Sequence, residues 1–259
     1  MLIATSTAEA LQNQRHVHVN GHDYTLTEYI GAAPLNGKYV EGNEVNDNGM
    51  PQGFLVHQPP GSITLPHFHE TNQFQVFVDG MGSMGKHAAQ PLTVQYANGH
   101  TPYGPINARE TGVKYFTLRQ RWDPGAKYMP GARDKLDKGN QRTRLKANIP
   151  LTNPDDRKSR IALTVETIFE PEDDGMAAWL YRVGCGENIE MPDPARTGGQ
   201  YLLVADGELV YDGKIYEKWS TLFVTADEAP PKLAATETGL DLLVLQFPQQ
   251  PGPGKTASR

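Results

Sequence analysis

His67 and His69, with Phe68 between them, are the residues of this chain whose types and spacing best suit chemistry. Side chains alternate along an extended strand, so the two imidazoles share one side of it. Neutral imidazoles held that close form a two-point chelate for a divalent transition metal such as Fe, Mn, Ni, Zn or Cu. The same alternation puts Gln73, Gln75 and Phe77 on one face of the next strand. If that face is the inner one, the glutamines need a ligand or a polar network to satisfy them. His57, His100 and Tyr103 are the visible groups for proton transfer, and His100 becomes a further metal ligand if its loop turns inward. Asn107 and Arg109 also share a face. An inward Arg109 would bind a carboxylate, enolate or other anion through paired contacts, whereas a strand ending at 108 would leave it in solvent.

The elements that position these residues are short strands. The chain has 259 residues, 38% of them hydrophobic, with 26 Gly and 20 Pro, a balance that favours strands and turns over long helices. Its net charge of -6 argues against a nucleic-acid or anionic-membrane binder. No run of about 18 apolar residues is present, so no membrane span is expected. The start MLIATSTAEALQNQ lacks the basic and apolar regions of a secretory signal. Cys185 is the single cysteine, which excludes an intrachain disulfide framework and fits a reducing compartment. A cytoplasmic, all-β protein is the expectation.

Along the chain, Arg15–Leu26 reads as a hairpin turning at Asn20-Gly21, with His16, His18 and His22 on a solvent-facing strand. Strands are expected at 53–58, 63–69, 73–79, 92–97, 102–108 and 113–120. The glycines between Gly80 and Gly85 are structural, because no Lys-Ser/Thr follows them and no helix pattern opens there. Residues 121–160, rich in Pro, Gly and charge, read as a linker over the surface. Its Arg133, Lys135, Lys138, Arg142, Arg144 and Lys146 are a solvated face interspersed with acids. From Ile161 the β pattern resumes to Phe247, with Asp212-Gly213 as a hairpin turn.

The first half resembles the cupin superfamily of jelly-roll barrels. Gly61, five residues, His67-Phe68-His69, three residues, Gln73, six residues and Gly80 match the spacing of the family's first motif, with glutamine in place of its acidic ligand. Tyr96, five residues, Pro102-Tyr103-Gly104, two residues, Asn107, three residues and Thr111 match its second motif, with asparagine in place of the third histidine. The second half carries a degenerate copy: Gly186, then Pro192-Asp193-Pro194 at the histidine positions, then Gln200 and Gly207. The third-histidine position there falls near Pro230. The resemblance implies a bicupin. Residues 1–120 form a barrel with the candidate site, 121–160 the linker, and 161–259 a barrel without metal ligands.

The resemblance also implies a metal centre at His67 and His69, with Gln73 and His100 as further ligands and Gln75, Phe77, Asn107 and Arg109 against the substrate. The function expected is a metal-dependent enzyme, an oxygenase or dioxygenase acting on a small anionic, aromatic or polyoxygenated molecule. The alternative is a non-catalytic binding or sensing bicupin with a weak or vestigial metal site. A homodimer built by sheet extension or strand exchange is expected of the fold.

Overall fold

The computed structural model describes residues 1–34, 37–137, 139 and 141–249. The chain divides into two compact units. One runs from Thr5 to Leu151; the other comprises Met1–Ala4 and the chain from Thr152 onward. Both are antiparallel β barrels of the jelly-roll kind, and among the described residues no helix is long and apolar enough to cross a membrane.

The first unit is organised on a nine-stranded sheet. Its order is Thr143–Lys146, Thr93–Ala97, Gln73–Met84, Ile106–Arg119, Gln52–Gln58, His22–Ile30 and Gln14–Val19. Ile63–Thr64 and His87–Ala89 add short pairings, and His67–Phe68 pairs with Lys127–Tyr128 in a separate two-stranded ribbon. The hairpin at Asn20-Gly21 forms because both turn residues take positive φ, 51° and 81°, which Asn and Gly tolerate. Its alternation buries Val17, Val19, Tyr24 and Leu26 against Phe54, Val56, Phe77 and Tyr115, and leaves His16 and His18 outside.

The second unit repeats this plan in an eight-stranded sheet. The order is Leu2–Thr5, Thr221–Val224, Gln200–Tyr211, Leu233–Gln246, Ala177–Val183 and Thr164–Phe169. Its long central pair, Gln200–Tyr211 with Leu233–Gln246, matches Gln73–Met84 with Ile106–Arg119 position for position. Gly80 and Gly207 hold φ of 76° and 81°, and a Cβ on either would lie 2.2 or 2.1 Å from the carbonyl oxygen of Gly112 or Gly239. Only glycine fits such a crossing.

The first unit extends further than its sequence suggests. Residues 121–151 are not a surface linker: Trp122, Asp123 and Ala126 are buried, and Thr143–Lys146 completes the sheet edge. Arg142 lies over the ring of Tyr96, 5.2 Å from its centroid, and Lys135 over Tyr39 at the same distance. Lys138 is outside the described residues.

Candidate functional site

The site is assembled on the pair of long strands in the first unit. Gln73 lies opposite Arg119 and Gln75 opposite Thr117, so these residues share the inner face. Between Ala108 and Val113 the register shifts. That bulge resets the alternation and separates two regions of the same strand. Before it, Asn107 donates to Ser83 Oγ at 3.0 Å and Arg109 is exposed. After it, Tyr115, Thr117 and Arg119 point inward. The inward cation is therefore Arg119, and the structure does not bring Asn107 or Arg109 to the imidazoles.

His67 and His69 are 3% and 7% exposed. Their rings are perpendicular, with centroids 5.2 Å apart. His67 Nδ1 lies 2.7 Å from the carbonyl oxygen of Leu65, which can only accept, so Nδ1 carries the proton and Nε2 the lone pair. His69 Nδ1 lies 2.7 Å from Asp123 Oδ1, which fixes the same tautomer. Burial, then the neighbouring His69, pushes His67 down to about 3. Burial, then the Arg119 charge, pushes His69 down as well. Both rings are neutral bases near pH 7.

Asp123 is fully buried and holds this corner together. Its Oδ1 accepts from His69 Nδ1 and from the Gly125 amide at 2.9 Å. Its Oδ2 accepts from the Glu70 amide at 2.9 Å and from the Thr71 amide and hydroxyl at 3.2 Å. Burial alone would raise its pKa. The electrostatic influence of His69 and Arg119, with hydrogen bonds from His69 and Gly125, outweighs burial and holds the carboxyl well below the usual carboxylate range.

Arg119, 1% exposed, is the second fixed charge. Nε and one terminal nitrogen donate to Gln73 Oε1 at 3.2 and 3.1 Å, and the other terminal nitrogen donates to Gln52 Oε1 at 2.9 Å. The nitrogen shared with Gln73 also lies 3.0 Å from His69 Nε2 and 3.1 Å from its Nδ1. Because Nδ1–H is committed to Asp123, the ring offers the guanidinium its Nε2 and its face. Gln73 Nε2 donates to the Tyr103 hydroxyl. Burial raises the Tyr103 pKa, so this phenol is protonated and its O–H remains a donor.

These groups surround a cavity of about 70 Å³. Tyr24, Phe54, Val56, Tyr115 and Tyr128 form apolar and aromatic walls, and His67, His69, Gln75, Tyr103 and Arg119 supply the polar surface. Gln75 Oε1 is buried with no hydrogen-bond partner among the described residues. A buried orphan acceptor facing a cavity calls for a donor from a ligand or a water. Phe77 belongs to the same core, its ring 5.1 Å from that of Tyr115.

Two further expected residues lie elsewhere. His57 is on the outer face, opposite Lys114 in the sheet. His100 takes φ of 57°, accepts the Asp137 amide at 3.0 Å on Nδ1, and packs against Phe68, whose side chain leaves the strand opposite to the two imidazoles. It is not placed to act as a ligand. Conversely, Arg119, Asp123 and Gln52 belong to the site without having been expected there. The alternation Tyr115, Thr117, Arg119 was a readable signal for the first.

The two imidazoles have the donor chemistry and the clamped tautomers of metal ligands. Gln73 offers a neutral oxygen, already accepting from Arg119. Among the described residues no three His, Cys, Asp or Glu side chains converge on one point. A divalent metal would thus be held by His67 and His69 through Nε2, with oxygen atoms of water or substrate completing its shell.

No protein-family model matches the chain, and no curated protein matches its sequence. Solved structures do match its fold. A putative dioxygenase from Nostoc punctiforme is 10% identical with a TM-score of 0.66, covering 99% of this chain and 85% of its own. The bacterial pirin of Escherichia coli, in complex with nickel(II), is 12% identical with a TM-score of 0.53, covering 96% and 100%. A variant of oxalate decarboxylase from Bacillus subtilis is 12% identical with a TM-score of 0.54, covering 95% and 77%. At these identities the likeness bears on the fold alone.

Proposed function

We propose, from the premise that this chain has a two-barrel cupin fold, that its first barrel is the active site of a metal-dependent enzyme. The reading is an oxygenase or dioxygenase acting on a small anionic, aromatic or polyoxygenated molecule. The observation that carries it is the pair of clamped imidazoles: each Nδ1 proton is spent on a fixed acceptor, Leu65 or Asp123, which leaves the His67 Nε2 lone pair to the cavity and that of His69 shared with Arg119. When bound, a divalent transition metal supplies Lewis acidity or electron transfer to a substrate oxygen. The protein's own groups do the rest. Tyr24, Phe54, Tyr115 and Tyr128 exclude water and bed an apolar or aromatic body. The Tyr103 hydroxyl and Gln75 Oε1 offer one donor and one acceptor to orient polar substituents.

One observation favours the second reading, a non-catalytic binding barrel: Gln73 Oε1, the third expected ligand, is taken by Arg119. Elemental analysis of the purified protein separates the two. Near-stoichiometric transition metal that disappears in His67→Ala/His69→Ala supports the enzyme. A folded protein that takes up no metal at saturating Fe(II), Mn(II), Ni(II) or Co(II) leaves only the binding barrel.

A further inference from the structure

The charge inventory of the site raises a question that the two imidazoles do not answer. Asp123 and Arg119 are the fixed charges in contact with His69, one on Nδ1 and the other against Nε2 and the ring face, while buried Lys127, paired with Glu70 at 2.7 Å, acts on it through space. Together they are neutral. Asp123 already accepts five hydrogen bonds, from His69, Gly125, Glu70 and twice from Thr71, so it has no lone pair left over for a second cation. A metal ion bound at His69 Nε2 would sit within a few ångströms of the guanidinium. Like charges that close, in a buried site, repel strongly.

The identity of Gln73 fits the same picture. A carboxylate at 73 would face two parallel N–H donors of Arg119 in a paired geometry and be neutralised by them rather than by a metal. The amide instead satisfies the guanidinium without a charge.

We propose that Arg119 is the resident cation of this site: it holds the metal affinity of His67 and His69 down, and a small organic anion, lying between the guanidinium and the metal, restores it. Metal and anion then load together, so the substrate of the first barrel is an anion under working conditions. The proposal rests on the reading of His67 and His69 as metal ligands. Arg119 acts here as a positioning residue, through charge.

Co(II) titration followed by its visible absorption tests it on the full chain, which needs no turnover. Wild type should bind Co(II) weakly. Arg119→Gln should bind at least tenfold more tightly, and about a hundredfold is the scale expected for removing one neighbouring charge. Arg119→Lys, which keeps the charge but loses the paired contact to Gln73, should stay weak. Propionate, a poor chelator in solution, should tighten Co(II) binding to wild type severalfold and leave Arg119→Gln unmoved. Equal Co(II) affinity in wild type and Arg119→Gln, lost in both on His67→Ala, overturns the proposal and leaves the metal reading standing. A folded Arg119→Gln that binds Co(II) no better than wild type overturns the proposal alone, whereas failure of both proteins to bind Co(II), or binding that survives His67→Ala, overturns both. Should Arg119→Gln not fold, the propionate arm on wild type decides: no tightening overturns the proposal.

Discussion

Burial of two neutral imidazoles makes the stability of this protein depend on pH in a direction that can be stated. Free histidine titrates near 6.5, and His67 in the folded chain near 3. Between those values the unfolded chain binds the proton and the folded chain does not. The folded state is therefore at full advantage above about pH 6.5 and loses stability as pH falls towards 3. His69 shifts in the same direction. Urea unfolding with chelator present should weaken by about 1.4 kcal/mol per pH unit on account of His67 between pH 6 and 4, with His69 adding to the loss in the same direction. His67→Asn should remove one group's share of that slope; an unchanged slope would refute the assignment. Asp123 adds little above about pH 5: its folded pKa lies below the usual carboxylate range, so its contribution begins to fall as pH nears the unfolded carboxylate value and is lost progressively in stronger acid. At this scale His67, His69 and Gln73 were legible in the sequence because their spacing is local. Arg119, Asp123 and Gln52 reach the same point only through strand pairing across tens of residues, and the Trp122-Asp123-Pro124-Gly125 run has the composition of a surface turn although its backbone and side chains are buried.

The elements explain which local patterns could be extended and which could not. Alternation holds along Gln73, Gln75 and Phe77 because that strand is paired on both sides without interruption there. It fails across Asn107 and Arg109 because the bulge before Val113 inserts unpaired residues, and a one-residue change in phase exchanges the two faces. The glycines flanking these strands divide into two kinds. Gly61 has φ of 70° with nothing within 4 Å of a built Cβ, so it answers only to backbone conformation. Gly80 and Gly207 have both positive φ and a carbonyl oxygen in the space a side chain would need. Gly61→Ala should therefore cost about 1 kcal/mol. Gly80→Ala and Gly207→Ala should each cost about 3 kcal/mol or more, through strain added to the same backbone penalty. Denaturant midpoints of the three variants check this, and similar losses in all three would sink the close-approach argument.

Across the molecule, one barrel design is used twice with opposite interiors. The strand pairs correspond, Gln73 to Gln200 and Arg119 to Gln246, and in the second unit Gln200 Nε2 donates to Gln246 Oε1 at 2.9 Å. Its charged network lies elsewhere: buried Asp241 accepts from Thr152 and pairs with Arg160 at 3.0 Å and Arg182 at 3.5 Å. The inner positions of that barrel are Leu202, Val204, Leu222, Leu242 and Val244, all fully buried. Aliphatic side chains at these positions give a cation no ligand atoms, and Pro192 and Pro194 occupy the positions of His67 and His69. Restoring the imidazoles alone should therefore not restore a site. Pro192→His/Pro194→His is expected to bind the same amount of Co(II) as wild type under propionate, one ion per chain. In the His67→Ala/His69→Ala background the same pair should bind none. A second ion appearing in the proline variant would mean that the second barrel kept a latent cavity and lost only its ligands, and that chemistry in this fold follows the two imidazoles rather than the buried charges arranged around them.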